Sequence, residues 1–259
     1  MITFLKKYAT LAIGFVLLFF FGSGVTKSTI KNPMELYLLA GQSNMAGRGK
    51  VGAIDTVGHP RVYVLNARDE WSTAKEPLHY DKANSGVGPG FVFGKIMAEN
   101  KNNVNIGLIP AAVGGTKISY WVPGGQRGLY EEALRKARVA MKDGTLKGIL
   151  WQQGESDSNA KDAPLYKARL VELMQSFRKD LGLPNLPIVI GGLGDFLHSP
   201  EHKQVNQSIQ EAVALIGHAA YSEASKLGHV GDSLHFNSKA QRENGERMAK
   251  AMKELLDKE

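Results

Sequence analysis

Short apolar runs alternate along the chain with longer segments in which apolar positions return every three or four residues. The runs at 34–40, 62–65, 104–109, 148–152 and 188–192 are the length of buried strands, and 218–221 is a weaker sixth. The periodic segments at 90–100, 130–142, 165–181, 203–216 and 238–256 predict helices. In the last, Met248, Ala249, Met252, Leu255 and Leu256 fall on one helical face, and Asn237-Ser238 supplies a cap at its start. Strands alternating with helices predict an α/β protein with a parallel sheet of about five strands, covered on both faces. Residues 47–60 lack either pattern and read as a loop.

The first 27 residues break this rhythm. Lys6 and Lys7 precede an apolar run from Leu11 to Phe21, which gives way to Gly22, Ser23 and Gly24. That is the layout of a secretory signal, and the run is short for a membrane span. The expected organisation is a leader over 1–27 and one catalytic-size domain over 28–259. The protein is then exported, to a periplasm or outside the cell, with no stable membrane insertion after cleavage. An uncleaved N-terminal anchor is the alternative. The leader carries three lysines and no acid, so cutting after Lys27 lowers the net charge from +7 to +4. The remaining bases alternate with acids along helices, which argues for solvated faces and against nucleic acid as a partner. There is no cysteine, so neither a disulfide nor lipid attachment through a cysteine is available.

Chemistry concentrates where strands end. The first run leads into Gly41-Gln42-Ser43-Asn44-Met45-Ala46-Gly47. A serine just past a central strand sits where open α/β sheets place their ligands. By itself it is a common helix N-cap. Ala111-Ala112-Val113-Gly114-Gly115-Thr116 and Trp151-Gln152-Gln153-Gly154-Glu155-Ser156-Asp157 follow two other strands, and Asp232-Ser233-Leu234-His235 lies near the end of the chain. Acyl transfer needs a nucleophile, a base, a group that orients the base, and donors for the oxyanion. Ser43, His235 and Asp232 answer to the first three. The backbone N–H groups of Ser43 and of the Gly114-Gly115 pair, with the Gln153 side chain, answer to the last. This chemistry calls for no metal or cofactor. His198 and His202 have a spacing of four, but Pro200 lies between them and no third ligand is evident.

These four segments together resemble the SGNH hydrolase superfamily, and within it the sialate O-acetylesterase and carbohydrate esterase family 6 type. The resemblance covers essentially the chain after the leader, and GQSNMAG with QGESD is its most specific part. It implies a flavodoxin-like three-layer α/β/α fold and hydrolysis of acetyl esters on sugars. Carried over, Ser43 is the nucleophile, His235 the base, and Ser43, Gly115 and Gln153 form the oxyanion hole. Gln153 stands where the wider superfamily has Asn. Asp232 holds the usual position for the orienting acid. Glu155 is an auxiliary acid or the alternative third member of the triad. Gln42, Asn44 and Trp121 are candidate substrate contacts, Trp121 as a sugar-stacking wall or equally as a core or rim side chain. The substrate implied is an acetylated oligo- or polysaccharide. Acetylated xylan or a related plant polysaccharide comes first and O-acetylated sialic acid second. A carbohydrate-binding protein without catalysis is the reading from another class, and the intact Ser43, Asp232 and His235 weigh against it.

Overall fold

In the computed structural model, residues 33–258 are described; the expected leader lies outside them. Seven strands form one sheet in the order β3-β2-β4-β1-β5-β6-β7. They are β1 (Met34–Gly41), β2 (Val62–Leu65), β3 (Trp71–Thr73), β4 (Asn105–Pro110), β5 (Thr145–Gln152), β6 (Ile188–Gly191) and β7 (Ala219–Ser222). All pairs are parallel except β2 with β3, which run antiparallel at one edge. The six expected strands are present to within a few residues at their ends. The seventh, β3, went unread because it is three largely exposed residues at an edge, where no apolar run is needed.

Among the described residues, six α-helices accompany the sheet: α1 (Ser43–Ala46), α2 (Gly90–Glu99), α3 (Leu129–Ala140), α4 (Tyr166–Leu181), α5 (His202–Ile216) and α6 (Ser238–Leu256). Helix α2 packs beside α6 on one face, and α3, α4 and α5 cover the other. This is the expected three-layer α/β/α sandwich. Strand β1 explains its own central place. Leu36, Tyr37, Leu38, Leu39 and Ala40 are all fully buried, so both of its faces lie under helices. Burying each such Leu contributes about 1.5–3 kcal/mol. On the α2–α6 face, Tyr37 and Leu39 join Phe93, Met97, Met248 and Met252 in one cluster, with Tyr37 edge-on to Phe93. The Asn237 side chain accepts from the Ala240 N–H at 3.0 Å and caps α6 as expected.

The carboxyl ends of β1, β4 and β5 converge. Their neighbouring registers pair Leu39 with Pro110 and Gly41 with Gln152. The segments that follow these three strands therefore emerge side by side.

Candidate active site

Ser43 is the first residue of α1; the cap position belongs to Gln42, which makes no side-chain capping bond. The Ser43 hydroxyl is thus not used as a cap. Its Oγ lies 3.1 Å from Nε2 of His235, and Nδ1 of His235 lies 2.6 Å from Oδ2 of Asp232. The other Asp232 oxygen accepts the backbone N–H groups of Leu234 and His235, each at 2.9 Å. Burial works to raise the Asp232 carboxyl, but the His235 N–H, its imidazole and the Leu234 N–H together hold it below its ordinary value.

Glu155 is not the partner of the imidazole. Its Oε1 accepts from the Asn44 amide, and its Oε2 is buried without a hydrogen-bond partner among the described residues. Burial pushes this carboxyl up, opposed by Asn44 and by nearby His235. The structure therefore brings Asp232, and not Glu155, to Nδ1.

A cavity of about 390 Å³ opens over Ser43, lined among others by Gln42, Arg48, Lys82, Gly115, Glu155 and His235. Two glycines shape its wall. Gly115 has φ +73, in the left-handed region. A Cβ on Gly114 would come within 2.4 Å of the Arg48 guanidinium and 3.4 Å of the Ser43 Cβ, so a side chain there has no room.

Three expected contacts require correction. Gln153 is fully buried and does not line the cavity. Its Nε2 is drawn inward to three acceptors: Gln42 Oε1, the Thr116 carbonyl and the Asp157 carboxylate. Its amide therefore points away from where an oxyanion would form. Gln42 is the amide at the cavity instead. Its Oε1 accepts from Gln153 and from the Ser156 N–H, leaving its NH₂ without a partner among the described residues. Asn44 is buried and bridges protein to protein. It donates to Glu155 and to the Leu234 carbonyl and accepts from the Phe236 N–H, so it ties the histidine loop to α1. Trp121 is fully buried, edge-on to Trp151 and bonded through Nε1 to Thr116 Oγ1. It is a core side chain. The sequence offered no sign of these orientations, because Gln153 and Trp121 turn inward to meet partners some distance along the chain. Of the two histidines spaced by four, His202 meets the Ser199 carbonyl.

Two residues that carry no motif also stand at the site. Asp81 Oδ2 accepts from the Gly114 N–H at 2.8 Å and from Arg48 at 2.7 Å, and the two side chains are 2% and 6% exposed. Burial works to raise the Asp81 carboxyl, but Arg48, Ser85 and Gly114 hold it below the ordinary value. The ion pair fixes the Gly114-Gly115 turn from behind.

A parallel-stranded α/β/α sandwich with Ser, His and Asp in contact at the strand ends is the build of an SGNH-type hydrolase. A family profile described as "Carbohydrate esterase, sialic acid-specific acetylesterase" matches residues 33–254, and the chain belongs to this family. It is 31% identical over 255 residues to a probable carbohydrate esterase of Arabidopsis thaliana, covering 88% of this chain and 95% of that one. The crystal structure of that Arabidopsis protein superposes with a TM-score of 0.77 over 86% of this chain and 98% of its own. NanS shares the fold at a TM-score of 0.72 and 16% identity, covering 88% of this chain and 99% of NanS. A carbohydrate acetylesterase from Xanthomonas citri shares it at 0.68 and 19%, covering 86% of this chain and 56% of that one. At these identities the last two speak for the fold alone.

Proposed function

We propose that the protein is an exported serine esterase that removes O-acetyl groups from carbohydrates, with acetylated xylan or a related plant polysaccharide as its substrate. The observation that carries the reaction is the Ser43–His235–Asp232 chain of contacts at the mouth of a cavity. Ser43 attacks the acetyl carbonyl while Nε2 of His235 takes its proton. Asp232 holds the imidazole in the tautomer that can accept it and stabilises the imidazolium that results. The backbone N–H groups of Ser43 and Gly115 receive the oxyanion, and the Gln42 NH₂ is the third donor in place of Gln153. His235 then protonates the departing sugar oxygen, and water, activated the same way, releases acetate from Ser43. The kinship with a probable carbohydrate esterase supports a carbohydrate ester as substrate.

One observation favours O-acetylated sialic acid as a second reading. The Lys82 Nζ stands 3.9 Å from where a Gly115 Cβ would be, exposed at the cavity rim beside Arg48. A cation there suits a sugar that carries a carboxylate.

Acetate release by residues 28–259 from acetylated xylan and from O-acetylated sialic acid, side by side, tests both. Ser43→Ala is expected to reduce release by roughly a factor of a million; activity that survives it would refute the mechanism. Lys82→Ala is expected to slow only the acidic substrate, several-fold and less so in high salt. Equal slowing of both substrates would remove the argument for sialic acid. N-terminal sequencing of the exported protein tests cleavage near Lys27.

A further inference from the structure

The acid lies in an exposed turn, and the base beside it is half-buried. Asp232 has a side chain 41% exposed and Leu234 is 38% exposed, so packing alone does not fix the turn between them. Ser233, inside that turn, holds φ at +52, which costs energy for a residue with a Cβ. Hydrogen bonds must hold the geometry. The Leu234 and His235 N–H groups go to Asp232 itself. The N–H groups on either side of Asp232, those of Gly231 and Ser233, both go to Nδ1 of His229, each at 3.1 Å. Two donors on one ring nitrogen require that nitrogen to be unprotonated, with any proton on Nε2.

His229 is itself anchored. Its ring lies 5.0 Å from that of Phe196, which meets Phe236 edge-on at 5.1 Å, and Phe236 is fully buried. The ends of the loop close through an antiparallel bridge from His229 to Phe236, a bond from the Val230 N–H to the His235 carbonyl, and one from the Asn237 N–H to the Gly228 carbonyl.

We propose that His229 is a positioning residue for the esterase reaction: its Nδ1 suspends the two peptide N–H groups that flank Asp232 and so aims the carboxylate at His235. The inference rests on the esterase reading above. It divides the ring into two separable parts. The nitrogen serves turnover, and the aromatic face serves stability.

Two substitutions separate them. His229→Phe keeps a ring against Phe196 and removes the acceptor. His229→Asn places an amide oxygen near the Nδ1 position and removes the ring. His229→Phe is expected to lower kcat by about 100-fold with KM held, the cost of a reacting group misplaced by about 1 Å, and to melt close to the parent. His229→Asn is expected to melt lower yet recover kcat to within a few-fold. A His229→Phe enzyme within two-fold of the parent, or a His229→Asn enzyme as slow as His229→Phe, would overturn the proposal. Amide exchange in the unmodified protein provides a check that depends on no variant. The Gly231 and Ser233 amides should be protected despite their exposed loop, and exchange at the rate of free peptide would equally overturn it. Labelling of Ser43 by a fluorophosphonate, run beside acetate release, keeps the two readings apart. A parent protein that neither releases acetate nor labels sinks the esterase reading, and amide exchange then decides the His229 contacts alone. A parent that labels, with His229→Phe labelling equally fast, sinks the positioning role.

Discussion

On one side of Ser43, His229, Asp232 and His235 share a single exposed loop, in which neighbouring side chains hold neighbouring backbone groups. On the other side, Gln153, Asp157 and Thr116 come from segments following two different strands, are shut away from water, and hold the back of Gln42, whose amide reaches the cavity. In the proposed reaction only His235 of the exposed set exchanges protons, which requires contact with solvent and with substrate, while Asp232 and His229 hold it in place. The buried set exchanges none, and its hydrogen bonds fix where the strand ends lie relative to one another. A polar residue near a nucleophile is therefore assigned by its surroundings and not by proximity: Gln153 and Asp157 are close in sequence to Glu155, but they hold the floor of the site.

The sharpest way to break this contrast is to move the acid from one set to the other. Asp232→Asn should lower kcat by about 10⁴-fold, while Glu155→Gln should lower it far less, as measured by acetate release. The reverse ranking would place the working carboxylate in the interior. Next comes the ion pair behind the oxyanion turn. Arg48→Met leaves Asp81 charged and buried without its partner, and should cost about 3–5 kcal/mol in denaturant unfolding. A change below 1 kcal/mol would mean that water reaches the pair.

The buried set gives smaller effects. Asp157→Ala strands the Ile118 N–H and one of the Gln153 contacts. It should lower stability by about 1–3 kcal/mol, with kcat following only as far as the floor shifts. A last prediction sharpens the contrast through pH. Glu76 is buried, its carboxylate accepting, among the described residues, from the Leu78 and Gly88 N–H groups alone, and burial raises its pKa from 4.5 to about 8. Between those values the folded state keeps a proton that the unfolded state has lost, so stability falls as pH rises through that window. Glu76→Gln should flatten this part of the stability curve. An unchanged slope would show that the carboxyl is already ionised.

Much of the fold was legible because periodicity is a local property. Burial on both faces of β1 leaves an unbroken apolar run, and α6 repeats its methionines on one face. The Ser43–His235–Asp232 contacts were legible because these residues stand in two short motifs, one directly after β1 and one in the loop before α6. The roles of Gln153, Asn44 and Trp121 were not, since each depends on which way a side chain turns, and that is set by partners such as Asp157, Glu155 and Trp151. Arg48, Asp81 and His229 left no signal at all. Asp81 sits in an irregular stretch, and its partners, Arg48 and Gly114, lie 33 residues away on either side. His229 acts on backbone groups, which every residue possesses.

Ser43 follows the central strand near one end of the described chain, and His235 stands 192 residues later, immediately before α6. The Gln241 side chain then reaches back to the Asn44 carbonyl, and Arg242 pairs with Asp55. Ser43 is therefore made long before the histidine it touches, and the contact forms only once the segment carrying His235 has been added and tied to α1 through Asn44. The pairing at the candidate site is in that sense a report on the fold: only a chain that has brought these two distant segments together displays it.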